Sequence, residues 1–247
     1  TAWERRERFF VKSMSVEEAI DYARAREGGP YVFGDSGDAP SSGSPGDNTA
    51  ILSALLEKDV RERAMLLLVD PEAARACATA GVGRSVTVAV GGKVDRSGAG
   101  PITVTGRVRA LTDGRFAFAG PGFSNVENHM GLTAVLEIGP ILLVLISQPV
   151  FMWDPAIYRS AGLDPASAKM IFVKSPTAFR AFYQPIAKEM HTIASPGVSC
   201  IDLLSLAFTR IDRPMFPFDR DADLVDEVAY KENGFTNKEG PACRRAK

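Results

Sequence analysis

Three carboxylates and four glycines are packed into the stretch "GDSGDAPSSGSPGDNT" (34–49): Asp35, Asp38 and Asp47 among Gly34, Gly37, Gly43 and Gly46. Glycines let a backbone take positive φ and approach a ligand closely. Carboxylates repel anions, so this loop suits a cation, a water or the amine of a substrate, with Asp35 and Gly46 as substrate contacts. The alternative is structural: Asp47, Asn48 or Thr49 can each cap the helix that follows, and Pro45-Gly46 signals a turn. The lysine of a nucleotide-binding P-loop is missing. A second cluster, "FVKSPTAFR", offers Lys174 and Arg180 for a substrate carboxylate and Ser175 as a helix N-cap before Pro176. Here too a plainer reading stands beside the functional one, with Lys174 solvated and Arg180 paired to a surface acid. Asp70, Asp154 and Asp164 each precede a proline and read as helix caps. His129 and His191 have no second ligand at metal spacing. Ser199 and Cys200 lack the glycine pattern of a nucleophile elbow.

Both clusters fall where a strand ends and a helix begins. "YVF" (31–33) reads as a short buried strand, and "TAILSALLEK" as a helix with Ile51, Leu52, Leu55 and Leu56 on one side. Before them, "SVEEAIDYARAREGG" carries a capping box of Ser15 and Glu18 and stops at Gly28-Gly29. "AMLLLV" (64–69) has the continuous apolar character of a strand covered on both faces. Asp70 and Pro71 then open the helix "PEAARACATAG". After Gly83 the pattern alternates: "SVTVAV", "ITVTGRVRAL", "GRFAFAG", and the pair "TAVLEI" and "ILLVLIS" predict half-exposed antiparallel strands. From Asp154 the α/β pattern returns, with a helix near 154–161, the strand "KMIFVK" and a helix from Pro176 to about Met190. The expected fold is α/β, a mixed sheet flanked by helices with an inserted, mostly antiparallel β section. In open sheets of this kind ligands bind beyond the carboxyl ends of the strands.

Composition narrows the classes. The 247 residues are 45% hydrophobic and carry a formal net charge of −1, so no global attraction to nucleic acid or acidic membranes is expected. The three cysteines are far apart in sequence, which argues against a disulfide framework and for a cytoplasmic location. The apolar run "PILLVLIS" is well short of the ~20 residues of a membrane helix. The opening "TAWERRERFF" has no initiating methionine and reads as the tail of a helix belonging to a preceding region. Residues 1–14 are therefore expected to be that tail, 15–219 the α/β domain, and 220–247 an irregular polar tail. Two histidines are too few for a self-sufficient catalytic zinc site.

Taken in order, the motifs resemble the C-terminal domain of the microcystinase C-like (MlrC-like) metallopeptidases. They include "WERRERFF" with "SVEEAIDYA", the Gly/Asp loop, "LLLVDPEAARACATAGVG", "VGGK", "GRF", "GLTAVLEIG", "VKSPTAFRAFYQPIA", "SPGVSCIDLLSL" and "RIDRPMFPFD". The resemblance implies a zinc-dependent hydrolase cleaving amide or peptide bonds of small substrates, with the zinc held mainly by a preceding N-terminal metal-binding domain as partner. Asp38 and Asp47 match the acidic positions of the family's glycine-rich motif. The resemblance therefore implies that they orient a zinc-bound water or bind a substrate amine at an interdomain active site. Lys174, Ser175 and Arg180 match the second motif. Many members carry asparagine where this chain has Ala39, and histidine where it has Ala178, which bears on substrate choice. The alternative is a non-catalytic α/β module that binds a small zwitterion or a partner subunit, and homo-oligomerisation remains open.

Overall fold

A computed structural model describes residues 2–98, 100–211, 213–220 and 222. Contacts divide the chain into a large unit, Phe10–Asp202, and a smaller one made of the first nine residues with those from Leu203 onward. In the smaller unit a 3-10 helix spans Trp3–Phe9, and the Trp3 ring meets Phe216 edge-on at 5.7 Å. The Arg6 guanidinium covers Trp3 at 4.4 Å from the ring centroid. Except for Arg220 and Ala222, the expected tail over 220–247 lies outside the described residues.

The large unit begins with α1 (Val16–Arg24), whose Ser15–Glu18 capping box forms as the sequence expects. β1 (Tyr31–Asp35) leads into the Gly/Asp loop and then α2 (Ala50–Glu57). β2 (Ala64–Val69) and α3 (Pro71–Ala80) follow, with Asp70 accepting the Ala73 amide as N-cap. The β section holds β3 (Ser85–Val90), β4 (Ile102–Thr112), β5 (Arg115–Ala117), β6 (Glu127–His129), β7 (Thr133–Ile138) and β8 (Ile141–Ile146). The last elements are α4 (Ala156–Ser160), β9 (Met170–Val173), α5 (Phe179–Tyr183) and β10 (Glu189–Ile193).

Eight strands form one mixed sheet in the order β10-β1-β9-β2-β8-β7-β4-β3, while β5 and β6 pair separately. β10 through β8 are mutually parallel, and β8, β7, β4 and β3 are antiparallel. One face is packed by α1, α2 and α3 through Ile20, Leu52, Leu55 and Cys77. The other is packed by α4 and α5 through Ile157, Tyr158, Phe179 and Tyr183. β1 and β2 therefore feed helices on the first face, and β9 and β8 feed helices on the second. Neighbouring parallel strands part at their carboxyl ends, which opens crevices there.

The inserted β section belongs to this sheet. A register break between Val108 and Ala110 interrupts the β4–β7 ladder. Beyond it the β3–β4 hairpin packs against α3, and its tip returns to the start of that helix, where the Gly91 amide donates to Asp70.

The expected helix from Pro176 to about Met190 is corrected. Only Phe179–Tyr183 is α-helical, and Glu189–Ile193 forms the strand β10, paired in parallel with β1. Pro185 stops the helix, because proline has no backbone N–H to donate to the preceding turn and its ring crowds the carbonyl four residues back. His191 therefore sits within a strand instead of following a helix.

Candidate functional site

β1 runs two residues further than its apolar core, so Gly34 and Asp35 belong to the strand and the loop starts at Ser36. Gly34 has to be glycine because a Cβ there would lie 2.1 Å from the Phe179 ring and 2.6 Å from the Ser175 carbonyl oxygen. That close approach brings the two sequence clusters together: β1 pairs with β9, and Asp35 and Asp38 stand beside Lys174 and Ser175 at the parting of the two strands.

Asp35 is fully buried. Its Oδ1 accepts from the Gly37 amide at 3.0 Å, the Ser195 hydroxyl at 2.7 Å and the Ser195 amide at 3.3 Å. Its Oδ2 has no hydrogen-bond partner, nor does the buried Ser175 Oγ. Burial raises the Asp35 carboxyl above the ordinary carboxylate range, and the nearby Lys174 ammonium opposes that shift. Ser175 does not cap a helix; α5 starts from Ala178 without any side-chain cap.

Asp38 and Asp47 are buried as well, and their oxygens serve the loops. Asp38 accepts from the Gly46 and Asn48 amides, each at 2.8 Å, and pairs with Lys174 Nζ at 2.6 Å. Lys174 is thus buried in an ion pair. Asp47 accepts three amides of the hairpin tip, those of Lys93 at 2.8 Å, Val94 at 2.7 Å and Asp95 at 3.1 Å. Asp47 does not cap α2; Thr49 takes that place, and the Asn48 side chain accepts the Ala50 amide. Thr49 Oγ1 donates to Gly100 O at 2.7 Å, and Lys93 Nζ reaches Asp70 at 3.0 Å. Gly46, at φ +80°, fits between Val69 and Pro40, where a Cβ would come within 2.8 Å and 2.9 Å.

A third segment closes over β1. Ser199 donates its amide to Gly37 O and its hydroxyl to Ser36 O, and its Oγ accepts from the Ala39 amide. Gly37 and Gly197 meet backbone to backbone: a Cβ on Gly197 would lie 2.0 Å from Gly37 O. Sequence reasoning missed Ser195, Ser199 and Lys93–Asp95 as parts of this assembly. The single glycine between two serines in "SPGVS" was the available signal.

Arg180 is separated from Lys174. It donates to Met190 O and Thr192 Oγ1, both at 3.2 Å, on the β10 side of α5. Among the described residues, no group of three or more His, Cys, Asp or Glu side chains converges as a metal site.

Asp35 Oδ2 and Ser175 Oγ are thus buried polar atoms at these strand ends that lack a hydrogen-bond partner. The molecule is an α/β domain built on a mixed sheet flanked by helices. Residues 33–210 match the MlrC C-terminus family, and the chain belongs to it. Microcystinase C of Sphingomonas sp. is 25% identical over 200 residues, covering 81% of this chain and 38% of that protein. A crystal structure of a protein from Mesorhizobium sp. BNC1 assigned to the metallopeptidases is 28% identical with a TM-score of 0.78. That match covers 88% of this chain and 43% of the other. The chain therefore spans less than half the length of either relative. Among the described residues, no helix is long and apolar enough to cross a membrane.

Proposed function

We propose that this chain is the substrate-holding half of a zinc-dependent hydrolase that cleaves amide bonds of small peptides, working at an interdomain active site. The observation that carries this reading is the pair of buried, unpartnered acceptors, Asp35 Oδ2 and Ser175 Oγ, at the parting of β1 and β9. Buried polar atoms without partners are uncommon in folded proteins and tend to mark functional sites. In this reading they receive N–H donors of the substrate. Asp38, Lys174, Asp47 and Gly46 belong to the same site and hold the rim in place, since their polar atoms are spent on backbone amides and on each other.

The described side chains do not fit a zinc ion by themselves: Asp38 is paired with Lys174, and no three ligating groups converge. Zinc ligands are accordingly assigned to the part of such proteins outside the matched span, which acts as this chain's partner. The test uses the longer protein, charged with zinc or stripped by chelator, on a panel of short peptides. Hydrolysis that chelation abolishes and zinc restores is expected, with Asp35→Asn and Ser175→Ala each losing at least tenfold in kcat/KM. Absence of metal-dependent hydrolysis sinks the reading, and full activity in both variants removes the crevice from it.

A further inference from the structure

The geometry points to a second ligand site, for a small oxyanion, in the cavity between α5 and the outer edge of β10. This cavity measures about 250 Å³ and is lined by Lys12, Ser13, Arg180, Met190, His191 and Thr192. Two observations make it cationic. Among the described residues, no carboxylate lines this cavity, and neither Lys12 nor Arg180 takes part in an ion pair. On the same strand, the Glu189 carboxylate is engaged by the Tyr22 hydroxyl at 2.6 Å and by His191 Nε2 at 3.2 Å.

Arg180 is also preorganised. Its guanidinium carries five N–H donors in a fixed plane. Two of them bind Met190 O and the side chain of the buried Thr192. Those anchors fix the plane and leave the remaining donors for an incoming anion, the arrangement that favours bidentate carboxylate or phosphate recognition. Lys12 is placed across the cavity by its own strand-like segment: the Met14 amide donates to Thr192 O and Met14 O accepts the Ala194 amide, along the outer edge of β10. The cavity thus has one oriented fork and one exposed point charge. The site lies on the far side of β10 from β1 and shares none of the crevice residues, so it stands or fails independently of the peptidase reading.

The ligand chemistry is that of a peptide carboxylate or of inorganic phosphate, and the test separates them. Amide resonances of this chain are followed while it is titrated with N-acetylglycine, with neutral N-acetylglycinamide, and with inorganic phosphate. Saturable shifts at Ser13, Met14 and 190–192 are expected with an anion and not with the neutral amide, weakening as sodium chloride is added. Response to N-acetylglycine alone assigns the site to peptide carboxylates, and response to phosphate alone assigns it to phosphate. Arg180→Gln is expected to weaken anion binding at least tenfold. Lys12→Met removes only an exposed charge and is expected to weaken it severalfold with an unchanged melting temperature. Failure of both anions to give saturable shifts there, or wild-type affinity in both variants, overturns the assignment.

Discussion

Asp35 shows how burying a single carboxyl ties stability to pH. Its carboxyl is held above the ordinary range chiefly by burial. Between the unfolded value and the raised folded one, the native protein keeps a proton that the unfolded chain has lost. Stability therefore falls as pH rises through that window. Urea unfolding from about pH 4 to about pH 7, spanning ordinary and raised carboxyl values, should show this slope in the wild type and a flatter one in Asp35→Asn. The Asp38–Lys174 pair has a different signature, because both partners are buried within 2.6 Å. Removing one partner of such a pair typically costs about 3–5 kcal/mol. Asp38→Ala should exceed Lys174→Met, since it also orphans the Gly46 and Asn48 amides, and the double variant should cost less than the two singles combined. Equal, additive losses in denaturant melts would contradict this account. At this scale the sequence drew attention to these carboxylates, but it could not tell one with an unpartnered oxygen from one spent on backbone amides.

Among the elements, the β3–β4 hairpin couples the inserted section to the site. Asp47 takes three amides of its tip, and the Gly92 amide donates to Asp47 O. In Asp47→Ala those amides lose a buried acceptor, so hydrogen exchange at Lys93, Val94 and Asp95 should accelerate by at least tenfold while β2 and β8 stay protected. Uniform loss of protection across the sheet would mean that Asp47 supports the whole fold instead of the tip. Most of these elements were legible because their signals are local. The Ser15–Glu18 box, the Asp70-Pro71 start and the alternation of β3 and β4 depend on neighbours within a few residues. β10 was hidden because "EMHTI" reads as a helix end until Pro185 is weighed, and because its pairing partner β1 lies far back in the chain.

For the whole molecule, β1, β9, β2 and β8 are covered on both faces, and one reporter lies under α3. Cys77 is buried against the first face, and burial, aided by Asp70, pushes its thiol up to about 11. With Cys200 and Cys243 replaced by serine, a thiol reagent at about pH 8 should label Cys77 only through opening of the core, tracking denaturant as global unfolding does. Rapid labelling in native buffer would show that α3 detaches locally.

The order of apolar runs, caps and breakers in the sequence determined most of the helices and strands, the α/β class and the two strand-end clusters, because each of those signals acts over one or two turns of chain. The tertiary structure alone decided which carboxylates have free oxygens. Lys174 reaches Asp38 across 136 positions, Ser195 reaches Asp35 across 160, and Lys93 reaches Asp47 across 46. A hydrogen bond depends on distances of a few tenths of an ångström between groups that only the folded sheet brings together, and composition and spacing carry no record of them.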